Sequence, residues 1–305
     1  MPNKDEGPSL ATPWEDDLQT LSAEVLDTLL RDHTTDRNIF WATHDYEPLG
    51  PAYDYHSEIR SELITGDHRK VIMPRVQKSR QNQTDRSKDM AEVFTPSWIC
   101  NAQNNLVDEA WFADKSKTWE DYVRNTCLEI TCGEAPYLVS RYDATTGDTI
   151  PLPKRIGLLD RKIHLINEHV DTYDDWLHWV QIAYQNTYGY EWQGDSLLLA
   201  RMNLLATFTE YHNNRFGERP PKQWIQNIAE IISWNLWQMD GLKSVVPDSC
   251  KDGITEKVAT LFGEEEMTLS CPGCQQDDIT LHNGTYCMIR DWASDKEIRY
   301  IDLIK

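Results

Sequence analysis

A chain of 305 residues with 40% hydrophobic content and 12 Trp can bury one large core, or one core and a small appendage. Its 50 Asp and Glu against 30 Lys and Arg leave a formal net charge of −20, which repels a polyphosphate over most of the surface, so bound DNA must meet a local basic patch. No window approaches the run of about 18 apolar residues that a membrane span needs, and residues 1–7 are too polar for a signal peptide, so the sequence predicts a cytoplasmic protein with reduced thiols and no membrane partner.

In chain order, Thr12-Pro13-Trp14-Glu15 has the form of a capping box, and Leu18, Leu21, Val25 and Leu29 follow at helical intervals, which predicts an amphipathic helix. Residues 32–66 break into short polar and aromatic pieces around Gly50-Pro51, a pattern of loops with room for a hairpin. Residues 67–90 gather Arg69, Lys70, Arg75, Lys78, Arg80, Arg86 and Lys88 in an otherwise acidic chain; such a run is either a solvated face or a track for phosphates.

Residues 127–131 read as a short buried strand running into a turn at Cys132-Gly133. A long helix should follow Asp195, because Leu198, Met202, Leu205 and Thr209 share a face and Gly217 with Pro220-Pro221 supplies the stop. Residues 228–234 read as another buried strand. Units of strand, turn and helix predict an α/β sheet with helices on its faces; internal repeats and low-complexity tracts are absent from the sequence.

Open α/β sheets bind ligands beyond the carboxyl ends of their strands, so the residues after each strand carry the chemistry. Residues 128–138, Leu-Glu-Ile-Thr-Cys-Gly-Glu-Ala-Pro-Tyr-Leu, place an acid, Glu129, at a strand end, followed by a small-residue turn through Thr131, Gly133 and Ala135. Residues 188–195 place Glu191 and Trp192 at the end of a second strand, ahead of Ala200-Arg201-Met202-Asn203-Leu204-Leu205. Glu92-Val93-Phe94-Thr95-Pro96 precedes both, with Thr95 as the expected cap and Pro96 as the first helical residue. Ile232-Ser233-Trp234-Asn235-Leu236 follows them.

In this order the motifs resemble those of adenine-N6 DNA methyltransferases, the methylase subunits of restriction-modification systems. The resemblance is carried by residues 91–112, 127–143 and 182–243. It implies a Rossmann-like class I sheet with a helical N-terminal region, and S-adenosylmethionine as cofactor. It implies that Glu129, Thr131, Gly133 and Ala135 shape the pocket, that Glu191 holds the ribose hydroxyls, that Trp192 and Asn235 meet the adenine, and that Thr95 lies at the methionine end. DNA is the implied partner.

The family's catalytic loop, of the type Asn-Pro-Pro-Tyr, has no counterpart: the only double proline, Pro220-Pro221, follows Arg219 and reads as a helix stop. Residues 299–305 read as a buried strand where the family places the strand leading into that loop. A partner subunit that supplies the loop or the target recognition, a degenerate binding subunit, and an unfamiliar loop each fit this pattern. So do an acidic, non-catalytic interaction protein that regulates or counters restriction, and a methyltransferase with a non-DNA substrate. Asp240, in Asp240-Gly241, is first of all a turn residue, and Cys132 is a small residue suited to a tight turn.

Near the C-terminus, Cys271-Pro272-Gly273-Cys274 is a knuckle whose two thiolates can reach one tetrahedral zinc. Cys287, with either Cys250 or His282, would complete a closed structural site. Three regions follow: residues 1–90 as an N-terminal extension with the basic segment, 91–245 as the cofactor-binding α/β domain, and 246–305 as a Cys-rich zinc knuckle with a terminal strand.

Overall fold

The computed structural model describes residues 21–78, 86, 95–260 and 263–304. The Thr12 capping box, Glu92, Val93 and Phe94, and Arg80 and Lys88 of the basic segment lie outside them. Helix α1 (Ala23–Leu30) carries the expected Val25 and Leu29 on its buried face, and its cap is Ser22, whose hydroxyl accepts from the Val25 amide. A two-residue hairpin, β1 (Arg31–Asp32) with β2 (Arg37–Asn38), opens the loop region.

Among the described residues the fold is mixed α/β, with eight α-helices and a three-stranded parallel sheet. Helices α2 (Ser97–Phe112) and α3 (Trp119–Arg124) precede strand β3 (Cys127–Glu129). Helices α4 (Leu158–His169) and α5 (Tyr173–Gln185) lead to β4 (Thr187–Glu191), and α6 (Gly194–Phe216) and α7 (Lys222–Asn235) lead to β5 (Leu236–Gln238). The sheet order is β3-β4-β5, with Glu129 opposite Gly189 and Glu191 opposite Gln238. All three strands therefore deliver their last residues to one edge of the molecule, where the first two end in acids.

Residues 228–234 are not a strand. They belong to α7, because Ile225, Ile228, Ala229 and Ile232 repeat at helical spacing and are buried together, and the short window 228–234 conceals that period. The third strand starts only at Leu236. Residues 299–304 do not form a strand of the sheet either: β9 (Lys296–Arg299) pairs antiparallel with β8 (Met288–Asp291), and Tyr300–Leu303 is a 3-10 turn; residue 305 lies outside the described residues.

Helix α6 is the centre of the core. It is buried without interruption from Gly194 to Phe208, not along one face only, which is the condition of a helix enclosed on all sides. Most of its buried polar side chains are partnered, as burial demands, the Thr207 hydroxyl being an exception. Arg201 donates to the carbonyls of Leu29, Arg31, Ser233 and Leu236, tying the ends of α1 and α7 to β5; burial among these groups draws its pKa down to about 10. Left-handed Gly217 (φ 74°) ends the helix as predicted, and Pro221 caps α7. A further hairpin, β6 (Thr255–Thr260) with β7 (Gly263–Thr268), and short helix α8 (Pro272–Gln276) complete the C-terminal region. No described helix is long and apolar enough to cross a membrane.

Candidate functional site

The two acids at the strand ends meet one turn. Cys132 donates its amide to the Tyr190 carbonyl (2.8 Å), which carries the chain from β3 across the end of β4. Gly133 then donates to Glu191 Oε2 at 2.7 Å, while the amides of Trp192 (2.9 Å) and Gln193 (3.3 Å) donate to Glu191 Oε1. On the other side of the turn, the amides of Tyr137 (3.3 Å) and Leu138 (3.1 Å) donate to the carboxylate of Glu129. Gly189 is the residue that allows this approach, since a Cβ there would lie 3.3 Å from Cys132 Sγ.

Both acids are raised above the usual carboxylate range. Burial pushes Glu129 up to about 8, against the two amide bonds and with help from the Glu191 charge. Burial also raises Glu191, against its three amide bonds. The turn itself is strained: Thr131 (φ 46°), Gly133 (φ 53°) and Ala135 (φ 63°) all have left-handed backbone, which is costly for the β-branched Thr131. Thr131 is exposed and Ala135 is buried, so the strained segment runs from surface to core. Asn203 of α6 secures it by donating to the Glu134 carbonyl at 3.0 Å.

Thr95 lies near this turn, but not as predicted. Helix α2 starts at Ser97 with Pro96 as its cap, and Thr95 precedes both. The Ser97 amide donates to Asp143 Oδ2 at 2.8 Å, so this helix start already holds a carboxylate of the chain itself. Against the cost of burial, the bonds from Ser97 and Thr145 hold Asp143 well below the usual carboxylate range. Asn104 docks α2 by donating to the Tyr137 and Ile156 carbonyls, each at 3.1 Å.

Asn235 is at the wrong end of the sheet. It closes α7, ahead of β5, and its side chain donates to the carbonyls of Tyr184 (2.9 Å) and Thr187 (3.1 Å) and accepts from Trp292 Nε1 (2.7 Å). The displacement follows from the strand assignment: with 228–234 helical, the residues at the carboxyl end of β5 are Gln238, Met239 and Asp240. Gln238 is the residue that sequence reasoning missed. Its side chain accepts from the Phe40 amide and donates to the Phe40 and Trp192 carbonyls, pinning the loop of residues 40–57 beside the strand ends. Gly194 does the same from α6, donating to the Trp41 carbonyl where a Cβ would stand 2.1 Å from the Phe40 oxygen. Trp192 thereby faces this loop, with its indole donating to the Tyr55 hydroxyl at 3.1 Å.

Two cations of the basic segment turn inward, whereas Arg69 and Lys70 stay exposed. Lys78 Nζ lies 3.0 Å from Asp195 Oδ2 and Arg86 lies 3.2 Å from it, all three side chains being buried, and Tyr46 donates to the same oxygen at 2.7 Å. Against burial, these two cations hold Asp195 well below the usual carboxylate range.

At the C-terminal knuckle, Cys250, Cys271, Cys274 and His282 could hold a metal ion: their ligand atoms all lie within 4.8 Å of one another. His282 Nδ1 stands 3.6, 3.5 and 3.6 Å from the sulfurs of Cys250, Cys271 and Cys274. A tetrahedron with the usual zinc–sulfur and zinc–nitrogen bond lengths has S···N edges of about 3.5 Å. Gly273 permits the arrangement, since a Cβ there would meet His282 Nδ1 at 2.6 Å. Against the cost of burial, amide bonds to its sulfur bring Cys271 down to about 6, whereas burial and the neighbouring thiolates push Cys250 up to about 12; three thiolates coexist only around a cation. Cys287 is not a ligand. Its buried thiol donates to the Gln238 carbonyl (3.4 Å) under β5, and Cys250 and His282, weighed as alternatives for one place, fill two.

Comparison with family models, with curated proteins and with solved structures finds no match.

Proposed function

We propose that the chain binds S-adenosylmethionine in the crevice over the carboxyl ends of β3, β4 and β5 and serves DNA adenine-N6 methylation, alone or with a partner subunit that supplies the catalytic loop. The observation that carries this reading is the 2.7 Å bond between Gly133 N and Glu191 Oε2, which joins the small-residue turn of one strand to the terminal acid of the next. A ribose diol can replace the turn amide at Glu191, and the left-handed turn leaves little side-chain bulk against a methionine moiety. In this reading the sheet is the first half of a Rossmann-like fold. Glu129 and Glu191 accept hydrogen bonds, Trp192 flanks the adenine, and Asn235 has no cofactor role.

Calorimetric titration with S-adenosylmethionine tests the proposal. Saturable binding that is lost in Glu191→Ala supports it; equal affinity in that variant removes its basis. Methyl transfer to DNA from labelled cofactor, with and without the neighbouring gene product, separates DNA from other acceptors. The ion at Cys250, Cys271, Cys274 and His282 is, in this proposal, a structural zinc, because four protein ligands leave no place for a reacting water.

A second reading has its own support. With Lys78 and Arg86 committed to Asp195, two cations of the basic segment are engaged inside a molecule of net charge −20, which suits an acidic interaction protein that occupies a restriction complex in place of DNA. Binding to such a complex that DNA competes away, without cofactor affinity, distinguishes it.

A further inference from the structure

The sheet has two unlike faces. Parallel strands are usually buried on both sides, and here the helices cover one. Leu128, Tyr188, Tyr190 and Trp237 point to the other, since Leu128 pairs with Tyr188 and Tyr190 with Trp237. Tyr190 and Trp237 pack there with Val246 and Ile289, but Leu128 stays 39% exposed. Between this face and the β8–β9 hairpin lies a cavity of about 630 Å³. Its floor is Leu128, Tyr188 and Trp237, and its roof is Ile289, Ile298 and Tyr300. The size falls within the range of small-molecule pockets, about 300–1,000 Å³, as does an aromatic lining with few polar groups.

Charge narrows the ligand. Arg124 and Arg290 both line the cavity in a chain that is strongly acidic overall. Arg124 stacks on Trp179 at 4.5 Å and has no acidic partner among the described residues. Arg290 lies 4.8 Å over Trp292 and is paired with Asp295 at 2.5 Å. The lining carboxylate, Asp291, is turned to the Ala293 amide (3.0 Å) and the Ser294 hydroxyl (2.5 Å). The cavity therefore offers flat apolar walls with a guanidinium at its rim.

We infer that the space between the sheet and the β8–β9 hairpin is a binding site for a small, planar, apolar molecule carrying one anionic group, with Arg124 as the anion's contact. The site stands behind the strands, on the face away from the helical core, and does not depend on the cofactor reading. Fluorescence titration with 8-anilinonaphthalene-1-sulfonate, whose fused ring and sulfonate match these features, tests it on the intact chain. One saturable site per chain is expected, weakened about tenfold in both Leu128→Glu and Arg124→Glu and unchanged in Leu49→Glu, an exposed position elsewhere. Thermal melting of each variant verifies that it is folded, and Arg124, being exposed, keeps the test open if Leu128→Glu unfolds. Unchanged affinity in Arg124→Glu, or the same loss in Leu49→Glu, overturns the site. N-phenyl-1-naphthylamine, the same skeleton without the sulfonate, should bind about tenfold more weakly than the sulfonate to the unaltered protein; equal affinity overturns the anionic half of the inference.

Discussion

The crevice at the strand ends and the knuckle at the C-terminus are both convergent sets of polar side chains, yet they meet their needs in opposite ways. At the crevice, each carboxylate is satisfied within the chain: Glu191 takes three backbone amides and Glu129 takes two. At the knuckle, three sulfurs crowd one imidazole nitrogen at 3.5–3.6 Å, a spacing that fits ligands around a cation better than groups satisfied by one another. A satisfied set can be architecture as readily as a site. An unsatisfied one calls for something from outside.

The largest expected effect breaks that contrast at the knuckle. Metal binding to a closed site of this kind is folding free energy, of order 10 kcal/mol in small zinc modules. Purified protein should carry one metal ion per chain by elemental analysis. Chelation, or Cys274→Ser, should remove the ion and expose the region around α8 and the β6–β7 hairpin to proteolysis while the core around α6 survives. Cys287→Ser should leave the metal content unchanged, since that thiol bonds Gln238 instead. Metal loss in Cys287→Ser would transfer the ligand role back to it.

Next in size is Asp195, a buried acid that faces two buried cations. Asp195→Asn removes the buried carboxylate that faces Lys78 and Arg86, leaving Arg86 its pair with the more exposed Asp45, and breaking a buried pair in this way costs about 3–5 kcal/mol. Urea unfolding measures it. Loss of less than about 1 kcal/mol would mean that the cations reach water, and that the basic segment is available to phosphates after all. A somewhat smaller loss, about 3 kcal/mol, is expected from Gly194→Ala, whose Cβ would displace the Phe40 carbonyl at 2.1 Å and lift the aromatic loop from the strand ends. If Trp192 owes its position to that loop, Gly194→Ala should weaken S-adenosylmethionine binding as well as stability.

What the sequence makes legible follows the range of the interactions involved. The turn after β3 and the acid after β4 are local patterns, and both lie where the residues say. The knuckle is half local: Cys271 and Cys274 are read from spacing alone, whereas the choice among Cys250, His282 and Cys287 depends on how 250 and 282 return to it. The third strand is lost because a largely apolar stretch of seven residues suits strand and helix alike, and only the wider period through Ile225 decides for α7. That error carries Asn235 to the wrong end of the sheet. Gln238 gives no signal, because its worth lies in a loop almost two hundred residues earlier, joined through Phe40. The basic segment misleads for a related reason, since the acid that Lys78 and Arg86 answer is remote in sequence.

The smallest effect asks whether the crevice acids are as well satisfied as their geometry suggests. Glu129 is raised by burial from 4.5 to about 8 in the folded chain, so between these values the native state holds a proton that the unfolded state has released. Its contribution to stability is therefore fully present below about pH 4.5 and is lost as pH rises through about 8. Urea midpoints of the unaltered protein should fall across this window. Glu129→Gln keeps one acceptor and gives up the other, a cost that does not itself vary with pH, and removes the slope, so its deficit relative to the unaltered protein should shrink as pH rises. The difference between the two proteins isolates Glu129 from the knuckle thiols, which titrate in both. A slope that persists in Glu129→Gln would assign the pH dependence to Glu191 or the knuckle, and would leave the Glu129 carboxylate ionised on its two amides.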